Sequence, residues 1–305
     1  MITVKKGLNH ADAFLRGFGT CIAWISSRFW GIEMKTLLIC HAGDRLNETG
    51  LAQWLASFSG LGGIVVIHEP TNRLWKRVRR EIKRVGILRF PDVLAFRLYY
   101  RLVHAARDRH WEEQRLREIC ATYPPLRLPI PVLHTSSPNT TEAAAFIAKH
   151  QPDIMIARCK TLLKESVFSV PSRGTFVMHP GICPEYRNAH GCFWALANGD
   201  PERVGMTLLR VDKGVDTGTA YGYYTSHFDD VSDSHIVIQH RVVFDNLDQL
   251  RNKLEEIYLG KAVPIDTRGR ASAVWGQPWL TRYLSWKRKA RRKRGRRESH
   301  IAAVS

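Results

Sequence analysis

Residues 174–218 read GTFVMHPGICPEYRNAHGCFWALANGDPERVGMTLLRVDKGVDTG and contain two turns that each follow an apolar run. The first turn is His179-Pro180-Gly181, and the second is Asp216-Thr217-Gly218. Open α/β folds carry their chemistry where the strands end. A histidine that can hold a proton near neutral pH, oriented by a carboxylate, is a general acid/base arrangement. The stretch therefore predicts that His179 and Asp216 act together, although both residue types also occur in ordinary turns.

The order of motifs in this stretch resembles the folate-dependent formyltransferases, the family of methionyl-tRNA, glycinamide-ribonucleotide and nucleotide-sugar formyltransferases. Pro184-Glu185-Tyr186-Arg187 follows the first turn, and a helical pattern ends at Asn198-Gly199-Asp200 before the second turn. The resemblance is strong over residues 150–225, weaker over residues 34–70 and absent at both ends. It implies transfer of a formyl group from 10-formyltetrahydrofolate to a primary amine on tRNA, a sugar or a small metabolite.

The resemblance also implies roles for single residues. His179 stabilises the oxyanion and moves protons, and Asp216 sets the charge and orientation of the histidine. The remaining site residues are the folate-side turn residues Gly181, Pro184, Gly214 and Gly218 and the candidate oxyanion or substrate-binding residues Tyr186, Arg187, Asn188 and His190. A neutral amine needs proton removal and oxyanion stabilisation rather than a nucleophilic side chain. Cys183, in the first loop, is therefore not expected to react, and no metal is expected.

One position departs from the family pattern. The family has an asparagine two residues before the histidine, where its amide binds the developing oxyanion, and this chain has Val177 there. Loss of one such donor typically lowers the rate by about 10²–10³-fold. Three explanations remain open: the protein is inactive, Asn188 or His190 supplies the missing donor, or His179 acts with backbone N–H groups alone.

Two other functional classes compete with formyl transfer. The first is hydrolysis of formyltetrahydrofolate, in which water replaces the amine. Enzymes of that kind resemble this core but carry a regulatory domain before it, for which the 33 residues ahead of the core are too few. The second is a binding protein that kept the fold and lost the chemistry, for which Val177 is the motivating residue. Retention of His179 and Asp216 argues against this class.

Between residues 34 and 230, apolar runs of strand length alternate with helical patterns, which predicts an α/β fold with a Rossmann-like, mostly parallel sheet. The predicted strands are residues 36–40, 63–67, 131–133, 153–157 and 175–178, and the predicted helices are residues 50–58, 141–149 and 162–168. The Asn139-Thr140-Thr141 cluster is a helix-capping signal. The chain lacks a GxGxxG fingerprint, so dinucleotide binding is not indicated.

Residues 71–118 form an insertion with 14 Arg/Lys and 6 Asp/Glu, a net charge of 14 − 6 = +8. Apolar residues at three- and four-residue spacing predict two amphipathic helices separated near Pro91. Their stripes, expected to pack on the core, are Leu74, Val78, Ile82 and Val85 in the first helix and Leu94, Leu98, Leu102 and Val103 in the second. The excess charge indicates a surface that could contact a polyanion such as RNA, a nucleotide sugar or an anionic membrane.

Beyond the catalytic domain, residues 231–286 predict a helical extension with Leu247, Leu250, Leu254 and Ile257 on one face. The methionyl-tRNA enzymes of the family carry a β-barrel domain after the catalytic one, and this helical pattern does not predict such a domain. The aromatic turn at residues 275–279 is expected to pack on the core. Residues 287–305 predict a solvated basic tail, because nine of the eleven residues from Lys287 to Arg297 are Lys or Arg. Such a tail could also be an electrostatic anchor.

Composition and the N-terminal segment complete the prediction. The apolar fraction of 44% and the charged fraction of 24% are ordinary for a globular chain. The six cysteines show no Cys-x-x-Cys pairing and no metal-ligand spacing, which favours a reduced, cytoplasmic setting. Residues 1–33 form an extension outside the core pattern. Their apolar part is interrupted by polar residues and shorter than a membrane span, so no transmembrane segment is predicted.

Overall fold

The computed structural model describes residues 34–69, 74–126 and 129–304. Within these ranges, the strands of the main sheet are β1 (Lys35–His41), β2 (Gly60–Ile67), β3 (Val132–Thr135), β4 (Ile154–Arg158), β5 (Gly174–His179), β7 (Met206–Arg210) and β8 (Ala220–Tyr224). Their order is β3-β2-β1-β4-β5-β7-β8. Two short strands, β6 (Arg187–Asn188) and β9 (Val274–Trp275), pair separately.

The first five strands of the main sheet run parallel to one another, whereas β7 is antiparallel to β5 and β8 is antiparallel to β7. Strands β1 and β4 are apolar along most of their length and are buried, as expected for central strands of a sheet covered on both faces. The predicted α/β fold with a mostly parallel sheet is confirmed. Each predicted strand is present, with ends that differ by a few residues.

Helices cover the sheet. They are α1 (Ala52–Phe58), α2 (Leu74–Val85), α3 (Phe90–Val103), α4 (Ala105–Thr122), α5 (Thr141–His150), α6 (Glu165–Phe168), α7 (Gly191–Asn198), α8 (His235–Phe244), α9 (Leu247–Tyr258) and α10 (Leu280–Val304). A π-helical turn at Leu46–Leu51 leads into α1. Helix α5 begins where its capping signal predicted, because the Thr140 side chain accepts a hydrogen bond from the Ala143 N–H. Helix α6 is shorter than the predicted residues 162–168.

The basic insertion differs from its prediction in two respects. It contains three helices rather than two, because a break at His104 separates α3 from α4. The predicted apolar stripe of the second helix is also wrong, since Leu94, Leu98, Leu102 and Val103 are all exposed. Helix α3 buries Val93 and Phe96 instead, and the Phe96 ring packs against the rings of Phe193 and Tyr283.

The C-terminal extension is helical, as predicted, and Leu247, Leu250, Leu254 and Ile257 are all buried. The aromatic turn packs on the core: the Trp194 and Trp275 rings are stacked with their centroids 4.8 Å apart. The basic run is helical and continues α10, and residues 291–296 are exposed, while the role of this segment as a tail stays a prediction. Tyr283, Trp286 and Lys287 are buried and fix this helix to the domain. The prediction for residues 1–33 lies outside the described residues.

Candidate active site

Strand β5 delivers His179 to the carboxyl edge of the parallel strands, where it pairs in register with Thr207 of β7. The buried Thr207 side chain organises the loop that follows. Its hydroxyl donates a hydrogen bond to the Gly181 carbonyl at 2.6 Å and accepts one from the Cys183 N–H at 3.0 Å. The loop after His179 is therefore tied to the neighbouring antiparallel strand.

His179 and Asp216 meet, as the resemblance implied. The Nδ1 atom of His179 lies 3.4 Å from Oδ2 of Asp216, and the histidine is 5% exposed. Asp216 lies in the loop between β7 and β8 with a φ of 50°, a left-handed conformation that aspartate tolerates better than most residues. The Asn188 N–H donates to the same carboxylate oxygen at 2.8 Å, which fixes the carboxylate against the ring.

Both ring nitrogens of His179 face oxygen atoms. Nε2 lies 2.9 Å from the Tyr186 carbonyl, a group that can only accept a hydrogen bond. Nδ1 faces the Asp216 carboxylate, which also only accepts when ionised. A ring with two protons satisfies both partners, whereas a ring with one proton leaves one of them without a donor. Because the backbone carbonyl occupies Nε2, the side of the ring that Nδ1 shares with Asp216 is the one where a proton can be exchanged with a reacting group.

Gly181 allows this close approach. A Cβ atom at position 181 would lie 2.4 Å from the Tyr186 carbonyl oxygen and 2.8 Å from His179 Nε2. At Gly218, a Cβ atom would lie 1.7 Å from the Arg210 carbonyl oxygen, so a side chain cannot be accommodated there either. The Asp212 carboxylate shapes the turn before Asp216 by accepting from the Gly214 N–H at 2.9 Å. The peptide bond before Pro184 is cis. These residues shape the two loops, and their contact with folate remains a prediction.

The side chains of the four candidate binding residues are engaged within the protein. The Tyr186 hydroxyl donates to Asp200 at 3.1 Å, and the Arg187 guanidinium donates to the Val215 carbonyl at 3.3 Å. The Asn188 amide donates to the Trp275 carbonyl, and His190 Nδ1 lies 3.3 Å from the Gln239 side-chain nitrogen. Burial lowers the pKa of His190 to about 4, and the Lys160 charge acts in the same direction. His190 is therefore uncharged at neutral pH.

Val177 lies on the same face of β5 as His179, since residues two apart on a strand point the same way. It packs against Cys183, Leu209 and Ala220 in a small apolar cluster. The position of the family's amide therefore holds an aliphatic side chain among other apolar groups. Cys183 itself is buried, and burial raises the pKa of its thiol, which disfavours the reactive thiolate.

Arg158 is a residue of this edge that the sequence analysis missed. It ends β4, and its guanidinium donates to the Met178 carbonyl and, at 3.0 Å, to the Asn47 side-chain oxygen. The Asn47 amide donates in turn to Asp44 at 2.6 Å. Burial lowers the pKa of Arg158, and the Asp44 charge opposes this effect. A charged residue at the end of the apolar run IMIAR was the signal that could have identified it.

The C-terminal segment also contributes to the wall of the site. Strand β9 pairs with β6, which places Trp275 opposite Asn188. Arg270 forms two hydrogen bonds with Glu185, at 2.9 and 2.7 Å, and a third with the Tyr223 hydroxyl at 2.6 Å. The Tyr223 hydroxyl donates to the Cys183 carbonyl at 2.7 Å. The loop after His179 is thus braced from outside the region that resembles the family.

Comparison with known proteins confirms the predicted resemblance. Residues 108–243 match the family model described as formyl transferase, and this range contains both His179 and Asp216. A methionyl-tRNA formyltransferase from Sorangium cellulosum is 35% identical over 97 residues, which is 32% of this chain and 31% of that protein. One from Kosmotoga olearia is 32% identical over 148 residues, 47% of this chain and 42% of that protein. The chain thus matches less than half the length of these relatives.

Solved structures of formyltransferases are also among the matches. A sugar N-formyltransferase from Shewanella superposes with a TM-score of 0.48 at 13% sequence identity, covering 80% of this chain and 76% of that one.

Proposed function

We propose that the protein transfers a formyl group from 10-formyltetrahydrofolate to a primary amine, the reaction implied by the formyl transferase family model that residues 108–243 match. The observation that carries the proposal is the pair formed by the buried His179 and the partly buried Asp216, whose Nδ1 and Oδ2 atoms lie 3.4 Å apart. The folate supplies the formyl carbon when bound, and the amine supplies the nucleophile. The chain has to provide proton transfer and stabilisation of negative charge.

The residues present fit this requirement. The His179 ring can stabilise the formyl oxygen as negative charge develops there, with its Nδ1 proton shared between Asp216 and that oxygen. Asp216 holds the ring in place and stabilises its positive charge, and the Asn188 N–H holds Asp216. The amine loses a proton as its bond to the formyl carbon forms, and the folate nitrogen gains one as its bond to that carbon breaks. The His179 and Asp216 pair is the acid/base group in this site that can carry the proton between them.

Val177 takes the place of the family's asparagine, so the oxyanion has to be stabilised without that amide. The Asn188 and His190 side chains are directed at Trp275 and Gln239, so neither replaces the missing donor in this arrangement. The proposal therefore takes the third explanation for Val177, an oxyanion stabilised by His179 together with backbone N–H groups. Such a site is expected to be slower than one with the amide present.

The proposal is tested by incubating the full-length protein with 10-formyltetrahydrofolate alone, and then with three classes of amine. These are the acceptors named for similar proteins: methionyl-tRNA, phosphoribosylglycinamide and nucleotide-linked amino sugars. Folate absorbance and the mass of the acceptor are followed together, and Asp216→Asn is the matched control. We expect a formylated product that depends on both acceptor and Asp216. Folate turnover without any acceptor would indicate hydrolysis, and a folded protein that formylates none of the three classes would contradict the proposal.

A further inference from the structure

Helix α3 and the turn before it present an unusual apolar surface to solvent. We call it the leucine face, and it consists of Ile87 (74% exposed), Leu88 (92%), Leu94 (45%), Leu98 (59%), Leu102 (75%) and Val103 (53%). Exposed aliphatic residues are unremarkable when scattered singly, whereas a contiguous group marks an interaction surface. Leu94, Leu98 and Leu102 recur every four residues and so follow one another along a single side of the helix.

The leucine face is turned outward because the opposite side of α3 is fixed to the domain. The Phe96 ring lies 6.2 Å from the Phe193 ring of α7 and 5.3 Å from the Tyr283 ring of α10. At the start of the helix, Asp92 accepts hydrogen bonds from the Thr281 N–H and hydroxyl. Leu98 lies two residues after Phe96, which is about 200° around the helix. Burying Phe96 therefore exposes the leucines.

Positive charge surrounds this face. Residues 79–103 contain seven exposed basic side chains, namely Arg79, Arg80, Lys83, Arg84, Arg89, Arg97 and Arg101. The two acidic residues in the same range are already engaged, since Glu81 accepts from Arg84 and Asp92 accepts from Thr281. Helix α10, which packs on α3 through Tyr283, adds exposed basic residues from Arg288 onward.

We propose that the leucine face docks the protein on an anionic lipid bilayer. Aliphatic side chains in the middle of a basic surface match such a bilayer, which offers acyl chains beneath phosphate headgroups. Among the described residues, no helix is long and apolar enough to cross a membrane. In this proposal α3 lies in the interface with its axis along the membrane plane.

Two other occupants fit the observations less well. A single-stranded nucleic acid is held by aromatic rings that stack on its bases, and the aromatic residues of α3 are turned toward the protein: Phe96 is buried, and the Tyr99 ring contacts Tyr283. A second copy of this chain would bring the same seven positive charges against themselves, because a two-fold interface uses the same patch twice. Charge complementarity favours the anionic bilayer over both.

The test uses full-length protein and co-sedimentation with vesicles of phosphatidylcholine, with and without about one third phosphatidylglycerol. The variant is Leu98→Glu with Leu102→Glu, both at strongly exposed positions. The control is Leu259→Glu with Val263→Glu, which adds the same two charges at positions that are 47% and 77% exposed outside α3 and α10. Circular dichroism verifies that each variant is folded.

We expect the wild-type protein to sediment with the anionic vesicles, the α3 variant to bind them at least about tenfold more weakly, and the control to stay within about twofold of the wild type. Equal binding by the two variants would overturn the proposal, as would failure of the wild type to bind anionic vesicles. Retention on RNA without retention on vesicles would overturn it in favour of a nucleic-acid surface. A wild-type dimer that the α3 variant converts to a monomer in light scattering would show a self-association face instead.

Discussion

His179 is held on both sides of its ring by oxygen atoms, and Asp216 is the one of these partners that a substitution can change without moving the backbone. We expect Asp216→Asn to lower formyl transfer by at least about 10²-fold, because it removes the charge that orients and stabilises the protonated ring. Steady-state kinetics with a fixed acceptor measure this effect. A variant that keeps more than about a tenth of the wild-type rate would show that the acid/base role is assigned wrongly.

His179→Ala should lower the rate at least as much, but it also leaves the Tyr186 carbonyl without its donor. We therefore expect this variant to lose about 1–3 kcal/mol of unfolding free energy as well. Urea denaturation separates the two effects, since the chemical defect should persist well below the unfolding midpoint. A variant as stable as the wild type would mean that the bond to Tyr186 contributes nothing.

Val177→Asn tests the departure from the family pattern. Neither Asn188 nor His190 directs its side chain at the missing position, so a new amide should not displace an existing donor. We expect the rate to rise by about tenfold, less than the full effect of such a donor, because Val177 also packs against Leu209 and Cys183. Val177→Ala, which loosens the same packing without adding a donor, is the control. A rate that stays unchanged or falls would contradict this expectation and show that an amide at position 177 does not reach the developing oxyanion.

At the scale of single residues, the sequence predicted the pair of His179 and Asp216 but not the hydrogen bonds that hold the surrounding loops in place. The pairing of His179 with Asp216 was predicted from the order of the motifs, and the structure brings the two side chains together. The bonds from Arg158 to Met178 and from Arg270 to Glu185 join residues far apart in sequence, and no local pattern encodes them. The sequence also could not predict the direction of a side chain. Asn188 has the correct chemistry for an oxyanion donor, but its φ of 77° and its pairing with β9 direct its amide to the Trp275 carbonyl.

At the scale of strands and helices, the parallel strands were predictable, because a short apolar run bounded by turn residues is typical of a buried strand. Helix α3 was not, because its sequence contains two apolar patterns that overlap. Leu94, Leu98 and Leu102 form a regular stripe, whereas Val93 and Phe96 form a shorter one that the structure buries. From periodicity alone, the longer leucine stripe is predicted to be the buried one. Which side of α3 is buried is decided by the contacts of the Phe96 ring with α7 and α10. These are tertiary contacts, which a local sequence pattern does not contain.

A matched pair of truncations tests which side of α3 faces the core. Phe96→Ala removes a ring that is 4% exposed and should lower the unfolding free energy by about 3–5 kcal/mol. Leu98→Ala removes a side chain that is 59% exposed and should change it by less than about 0.5 kcal/mol. Urea denaturation followed by circular dichroism gives both values. A larger loss of unfolding free energy for Leu98→Ala than for Phe96→Ala would show that the leucine side of α3, and not the Phe96 side, faces the core.

At the scale of the whole molecule, the region that matches the family and the region that carries most of the charge are largely separate. Residues 108–243 contain the His179 and Asp216 pair, whereas the leucine face and the basic part of α10 lie outside that range. Binding to an anionic surface and formyl transfer should therefore be separable by deletion. Such a deletion has to begin after Lys287. The amine of Lys287 donates to the carbonyls of Asp230, Val231 and Asp233, so this residue belongs to the folded domain.

Removal of residues 291–305 takes away the basic run beyond the last buried residue of α10, Ala290. We expect formyl transfer to a small acceptor to be unchanged, because the contact described between this segment and the rest of the domain, from Arg294 to Asp229, lies outside the candidate active site. Retention on anionic vesicles should fall and should become less sensitive to salt, since fewer counterions are released on binding. The apolar contribution of the leucine face should leave residual, salt-resistant binding. Retention is compared for full-length and truncated protein at low and moderate ionic strength, with neutral vesicles as the blank. Identical retention of the two proteins would show that this segment does not take part in docking and that α3 alone accounts for it.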